Sequence, residues 1–180
     1  MRRLLLLMLA AALLGGAGAG RGQSDGRVAE YRLKAAFIFR FPDYVDWPDT
    51  AFPSPDSPFT IGILGADTFA EGLLKTVSGR KVDNRPLVVR RLRRGESVAG
   101  LQVLFIGATE NAREVLGPLK GQPVLTVTES EQAFVQGSMV NFVVVEDKVR
   151  FDVALTPAEQ ANLKISARLL SVARKVESRP

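Results

Sequence analysis

Histidine and cysteine are both absent from the 180 residues. Without imidazole or thiol the chain cannot build Ser-His-Asp or Cys-His nucleophilic machinery, and it lacks the nitrogen and sulfur ligands that zinc and copper prefer. Disulfides are excluded too, so stability must come from the core alone. No Asp-x-Asp run, calcium loop, Walker A ending or dinucleotide fingerprint occurs, and the dispersed acids read as caps and solvated faces. No catalytic residue, metal site or cofactor is therefore expected.

Long apolar runs are also scarce, and the exception stands at the N-terminus. Arg2 and Arg3 precede the apolar run Leu4 to Leu14, and the small residues Gly15 to Gly20 include Ala17-Gly18-Ala19. Basic start, short apolar stretch and small-x-small site are the parts of a secretory signal peptide. A membrane anchor is the alternative, but crossing the hydrocarbon core takes about 20 apolar residues. The expected organisation is a signal peptide over 1–19, a flexible leader over 20–26 and one α/β domain over 27–176. A periplasmic location follows from export. Excess charge of one sign is likewise missing from the body of the chain. Of the 24 basic residues, Arg2, Arg3 and Arg21 precede the domain, leaving it nearly balanced against 19 acids. Nucleic acid is therefore not an expected partner.

Val28, Tyr31, Ala35 and Ile38 recur at helical spacing and predict a first helix from Arg27 to about Phe41, stopped by Pro42. A rigid loop follows, marked by Pro48, Pro53, Pro55 and Pro58. Three stretches then share one pattern, a short apolar strand, a small residue and a capped helix: Thr60 to Leu64, Val103 to Ile106, and Val124 to Val127. Thr68 with Glu71 and Thr128 with Glu131 fit capping boxes. Such units predict a mostly parallel sheet with helices on both faces, a three-layer arrangement. Leu87 to Leu92 reads as a further strand, and Met139 to Val145 with Val149 to Val153 as a C-terminal antiparallel hairpin. In its second arm Val149, Phe151 and Val153 share a face, which predicts an edge or near-edge strand. Thr156, Pro157 and Glu159 then open a predicted long helix to about Lys175, with Ala158, Ala161, Ile165, Leu169, Val172 and Val176 in one stripe.

Open parallel sheets bind ligands beyond the carboxyl ends of their strands. That crevice would fall near Gly65, Asp67, Gly107 and Thr109, the candidate small-ligand site. Gly62, Gly65 and the next helix fit a plain strand-to-helix turn better than a phosphate loop. Arg90, Arg91, Arg93 and Arg94 form the densest charge run and read as a solvated strand end or a contact for an acidic partner. Phe37, Phe39, Phe41, Tyr44 and Trp47 cover more than one side of the first helix, so some are expected to face a groove or a second subunit. The candidate partner-binding residues are Phe39, Phe41, Trp47, Arg150 and Arg168, large apolar or forked-cation groups near element ends. Arg150 has a structural alternative, an ion pair with Asp152 or Glu159.

With these residues in view the chain resembles the YfiR-like family across about Lys34 to Ala173. The resemblance rests on ordered motifs: Lys34-Ala35-Ala36-Phe37-Ile38-Phe39, Val45-Asp46-Trp47-Pro48, Ile61-Gly62-Ile63-Leu64-Gly65 and Gly79-Arg80-Lys81-Val82. Arg85-Pro86-Leu87, Val103-Leu104-Phe105-Ile106, Val124-Leu125-Thr126-Val127 and Gly137-Ser138-Met139-Val140-Asn141-Phe142 continue the series. Val149-Arg150-Phe151-Asp152-Val153 and Leu163-Lys164-Ile165-Ser166-Ala167-Arg168-Leu169-Leu170 complete it. It implies a dimeric periplasmic protein that holds an inner-membrane diguanylate cyclase inactive through that enzyme's periplasmic region, tuning cyclic-di-GMP and biofilm formation. Many relatives carry Cys-His where this chain has Leu101-Gln102, and Gly-Gly-Met where it has Gly137-Ser138-Met139, so disulfide redox sensing is not open to it. Two further readings stand beside the regulator: a small-ligand module or accessory sensor for a membrane histidine kinase, and an enzyme built on Asp67 or Lys81.

Overall fold

The computed structural model describes residues 19–178, with side chains from residue 26 onward. The signal peptide expected over 1–19 lies, except for its last residue, outside the described residues. Among the described residues no helix is long and apolar enough to cross a membrane. Helix α1 runs Ala19–Arg40, so it takes in residues 20–26, and it gives way to a 3-10 turn, Phe41–Tyr44, at the donorless Pro42. Strand β1 (Val45–Asp46), a short 3-10 turn (Asp49–Ala51) and the proline loop lead to β2 (Phe59–Leu64). Then come α2 (Asp67–Val77), β3 (Lys81–Val82), β4 (Arg85–Leu92), β5 (Val103–Ile106) and α3 (Ala112–Leu119). Next are β6 (Leu125–Thr128), α4 (Glu131–Val135), β7 (Val140–Val145) and β8 (Lys148–Ala154). The chain closes with α5 (Leu155–Gln160), β9 (Lys164–Ile165), α6 (Ala167–Val172) and β10 (Lys175–Glu177).

Eight strands form one mostly parallel sheet in the order β10-β8-β7-β6-β5-β2-β4-β3. The three strand–helix units of the sequence are β2–α2, β5–α3 and β6–α4, and their strands pair in parallel. β7 and β8 pair antiparallel, Val140 opposite Val153 through Val145 opposite Lys148. β8 lies one strand in from the edge, under β10. The period-two alternation of the central strands splits the core between two faces. Ile61, Ile63, Val103 and Phe105 pack with Ile38 of α1 and Phe69 and Leu73 of α2. Leu64, Leu104 and Ile106 pack with Leu116 and Leu119 of α3 and Ala133 of α4.

The capping boxes do not form. Ala66 caps α2 and Thr68 lies inside the helix. Thr128 is buried in the sheet, its hydroxyl 3.0 Å from Ser138 Oγ and 2.9 Å from Asn141 Oδ1. The long terminal helix is also corrected. After α5 Asn162 takes a φ of 55° and the Leu163 amide donates to the Ala158 carbonyl at 2.9 Å, a helix-ending turn that asparagine tolerates. The chain then pairs with β1, Val45 opposite Ile165 and Asp46 opposite Lys164. Ser166 caps α6 by accepting from the Leu169 amide at 3.3 Å. Val172 and Val176, the far end of the expected stripe, are 61% and 40% exposed. Long-range pairing outweighed a local period of the right length.

Candidate functional site

Strand order reverses around β2, with β4 on one side and β5 on the other, so the crevice expected to hold a ligand opens between β2 and β5. Gly65 follows β2 with a φ of 70°, and Gly107 follows β5. They are packed together: a Cβ on Gly107 would sit 2.4 Å from the Gly65 carbonyl oxygen. One on Gly65 would sit 2.3 Å from Glu110 Cγ. Glu110 is tied in turn to Arg94 Nε at 2.7 Å. Glu110 and backbone thus pack closely against the two glycines, while Asp67, the first residue of α2, and Thr109, on the turn after β5, are exposed.

A second cluster sits beside the carboxyl ends of β5 and β6. Lys34 is 3% exposed although it lies on a helix face with Tyr31, Ala35 and Ile38. Its ammonium bonds Glu129 Oε2 at 2.6 Å and pairs with Glu30 one turn earlier. The other oxygen of Glu129 accepts from the Ala108 amide at 3.2 Å. The Tyr31 and Phe142 rings lie 5.5 and 5.9 Å from the ammonium. Burial alone would lower the Lys34 pKa, but the hydrogen bonds to Glu129 and Glu30 outweigh it and hold it above the ordinary value. Through Glu129, which follows β6 and accepts from the turn after β5, the cluster pins α1 to the sheet. Burial, with the Glu129 charge, also raises Tyr31. Among the described residues no group of three or more Asp or Glu is placed to hold a metal ion.

The third feature is a groove where the end of α1 and the turn after it meet α6. It encloses about 280 Å³ and is lined by Phe37, Arg40, Phe41, Tyr44, Arg168, Leu169 and Val172. The floor is aromatic: Phe41 stacks on Phe142 at 6.0 Å and meets Phe151 edge-on at 5.5 Å, and Phe37 meets Phe151 at 5.4 Å. Two guanidinium groups mark the rim. Arg40 pairs with Asp43 at 3.1 Å at the exposed surface, and Arg168 is exposed too. The β1–β9 pairing and the Ser166 amide bond to the Tyr44 carbonyl at 2.9 Å hold the two walls together.

Of the candidate partner-binding residues the structure brings two to this groove, Phe41 and Arg168. Phe41 is fully buried, so it shapes the floor and offers no surface of its own. Phe39 is half-buried beneath the Arg80 guanidinium, 5.8 Å from its ring. Trp47 packs edge-on against Phe59 at 5.0 Å and donates from Nε1 to the Gln102 carbonyl at 3.1 Å. Arg150 is exposed on β8 and donates to its neighbour's carbonyl, Val149, at 3.3 Å. The partner of Asp152 is Arg174, which engages both carboxylate oxygens. Sequence reasoning passed over Arg40, Leu169 and Val172 because the groove exists only once the last segment folds back on α1. It also passed over Lys34, whose position on an apolar helical stripe was the available signal, since a cation there needs a buried anion.

A comparison with curated proteins returned no match. Residues 31–174 match the family model described as YfiR/HmsC-like, and the chain belongs to that family.

Proposed function

We propose that this protein is an exported periplasmic regulator that represses a membrane-bound diguanylate cyclase by binding its periplasmic region, and that it works by binding rather than by catalysis. Family membership across residues 31–174 supports the regulator class. The observation that carries the binding reading is the groove, with an aromatic floor, the 61% exposed Val172 and the Arg40 and Arg168 guanidinium groups at its edge. Apolar contact area bordered by forked cations suits the amphipathic, acidic segment of a partner protein. The N-terminal leader pattern fits export, and the small formal charge of the domain fits a protein partner.

The test is cellular and direct. Deleting the gene should raise cyclic-di-GMP and biofilm, and the wild-type gene should restore both. Arg168→Glu and Val172→Asp, both at exposed positions, should fail to restore them while the protein accumulates normally in the periplasm. Purified variant and cyclase periplasmic region should bind at least tenfold more weakly, about 1.4 kcal/mol. Unchanged cyclic-di-GMP on deletion would remove the cyclase from the reading and leave a sensor kinase as the membrane partner to test.

A further inference from the structure

A separate cavity of about 330 Å³ lies between α3, α4 and α5. Its inner wall is apolar and buried: Leu116, Leu119, Phe134 and Met139. Its volume is at the lower end of the range for small-molecule sites. The sequence keeps this space open. Gly117 sits in the last turn of α3 on the cavity lining, and a Cβ there would meet no atom within 4 Å. Gly137 lines another side, also with nothing within 4 Å, and its φ of 110° keeps a side chain out.

The charges at the opening favour one sign of ligand. Arg113, Leu116, Gly117 and Lys120 follow the i, i+3, i+4, i+7 spacing of a single helical stripe, so a cation stands on either side of the glycine gap. Both cations are exposed, and neither forms an ion pair among the described residues. The acid on the lining, Glu177, is paired with Lys175 at 2.6 Å. We propose that this cavity binds a small amphipathic acid, its apolar body against Leu116, Phe134 and Met139 and its carboxylate or sulfonate between Arg113 and Lys120. The site is separate from the partner groove in that no residue lines both, although Met139 packs in the same buried cluster as Phe41 and Leu169. A regulator with both would carry one surface for its partner and one for a soluble signal.

The probes are 8-anilinonaphthalene-1-sulfonate and its uncharged counterpart N-phenyl-1-naphthylamine, which share a ring body and differ in the anionic head. Fluorescence titration of the folded protein should show one saturable sulfonate site. Gly117→Leu fills the gap with a better helix former, so sulfonate binding should weaken at least tenfold with the melting temperature unchanged or raised. The exposed pair Arg113→Gln with Lys120→Gln should weaken the sulfonate about tenfold and the neutral probe less than twofold, and it carries the test if Gly117→Leu does not fold. Arg168→Glu should leave both probes unaffected. Wild-type sulfonate affinity in folded Gly117→Leu, equal losses for both probes in the double variant, or loss of binding in Arg168→Glu would each overturn the proposal.

Discussion

Lys34 shows how one residue can decide how a helix sits. Its side chain is 3% exposed and that of Glu129 9%, so removing Lys34 strands the Glu129 carboxylate in a region with little water, whereas removing Glu129 leaves the lysine its second partner, Glu30. Breaking such a pair costs about 3–5 kcal/mol, whereas replacing both partners with neutral groups of similar size is often close to neutral. Lys34→Met should therefore lower the urea midpoint strongly, and Lys34→Met with Glu129→Gln should recover most of the loss. An additive double variant would mean that the two side chains do not act as a pair. The pH dependence follows from the raised pKa. Lys34 binds its proton more tightly folded than unfolded, so its contribution is complete below its ordinary value of 10.5 and is lost as pH climbs through the higher folded value. Tyr31, raised by burial, weakens the fold in the same direction above its ordinary 10.0. Unfolding free energy should thus fall at strongly alkaline pH in the wild type, and the fall should be shallower in the double variant. The lysine itself was legible in the sequence as a cation on an apolar stripe, but its anion was not, because Glu129 lies 95 residues away.

At the scale of elements, what the sequence revealed depended on how locally each element is determined. The strand–helix units read from Thr60, Val103 and Val124 announce themselves through apolar runs with a glycine or hydroxyl at their ends, and all three form. β1, β9 and β10 are two or three residues long and have no local signature, since each exists only by pairing with a strand far away in sequence. The terminal segment misled for the same reason: its apolar spacing fits a helix, while Asn162 and Ser166 carry the instructions to stop and restart. Asn162 holds a φ of 55°, which alanine reaches only at a cost of about 1–2 kcal/mol and glycine reaches freely. Asn162→Ala should be destabilised by about that amount and Asn162→Gly much less, measured by urea unfolding. Ser166→Ala removes the cap of α6 and should cost about 1 kcal/mol. It should also weaken partner binding, because α6 forms one wall of the groove. Wild-type stability in both Asn162→Ala and Ser166→Ala would return the single long helix to consideration.

For the whole molecule, the central strands decide whether the two core faces behave as one body. β2 sends Ile61 and Ile63 to one face and Leu64 to the other, and β5 sends Val103 and Phe105 one way and Leu104 and Ile106 the other. Neither face can lose its packing while these strands stay paired and ordered for the other, so the sheet couples them. This architecture was readable from the sequence at the level of a mostly parallel α/β sheet with helices; the groove and the cavity were not, because each is assembled from segments whose proximity only the finished topology sets. The coupling has a measurable consequence. Trp47, the sole tryptophan, packs on Phe59 beside the first face and reports that region by fluorescence, while far-UV circular dichroism reports all helices and strands. The two signals should change together in a single urea transition. Phe105→Ala on the first face and Leu104→Ala on the second each remove a fully buried side chain and should each cost about 2–5 kcal/mol. Both should move the fluorescence and dichroism midpoints by the same amount. If Leu104→Ala shifts the dichroism while the Trp47 transition stays in place, the two faces unfold separately and the coupling through β2 and β5 is wrong.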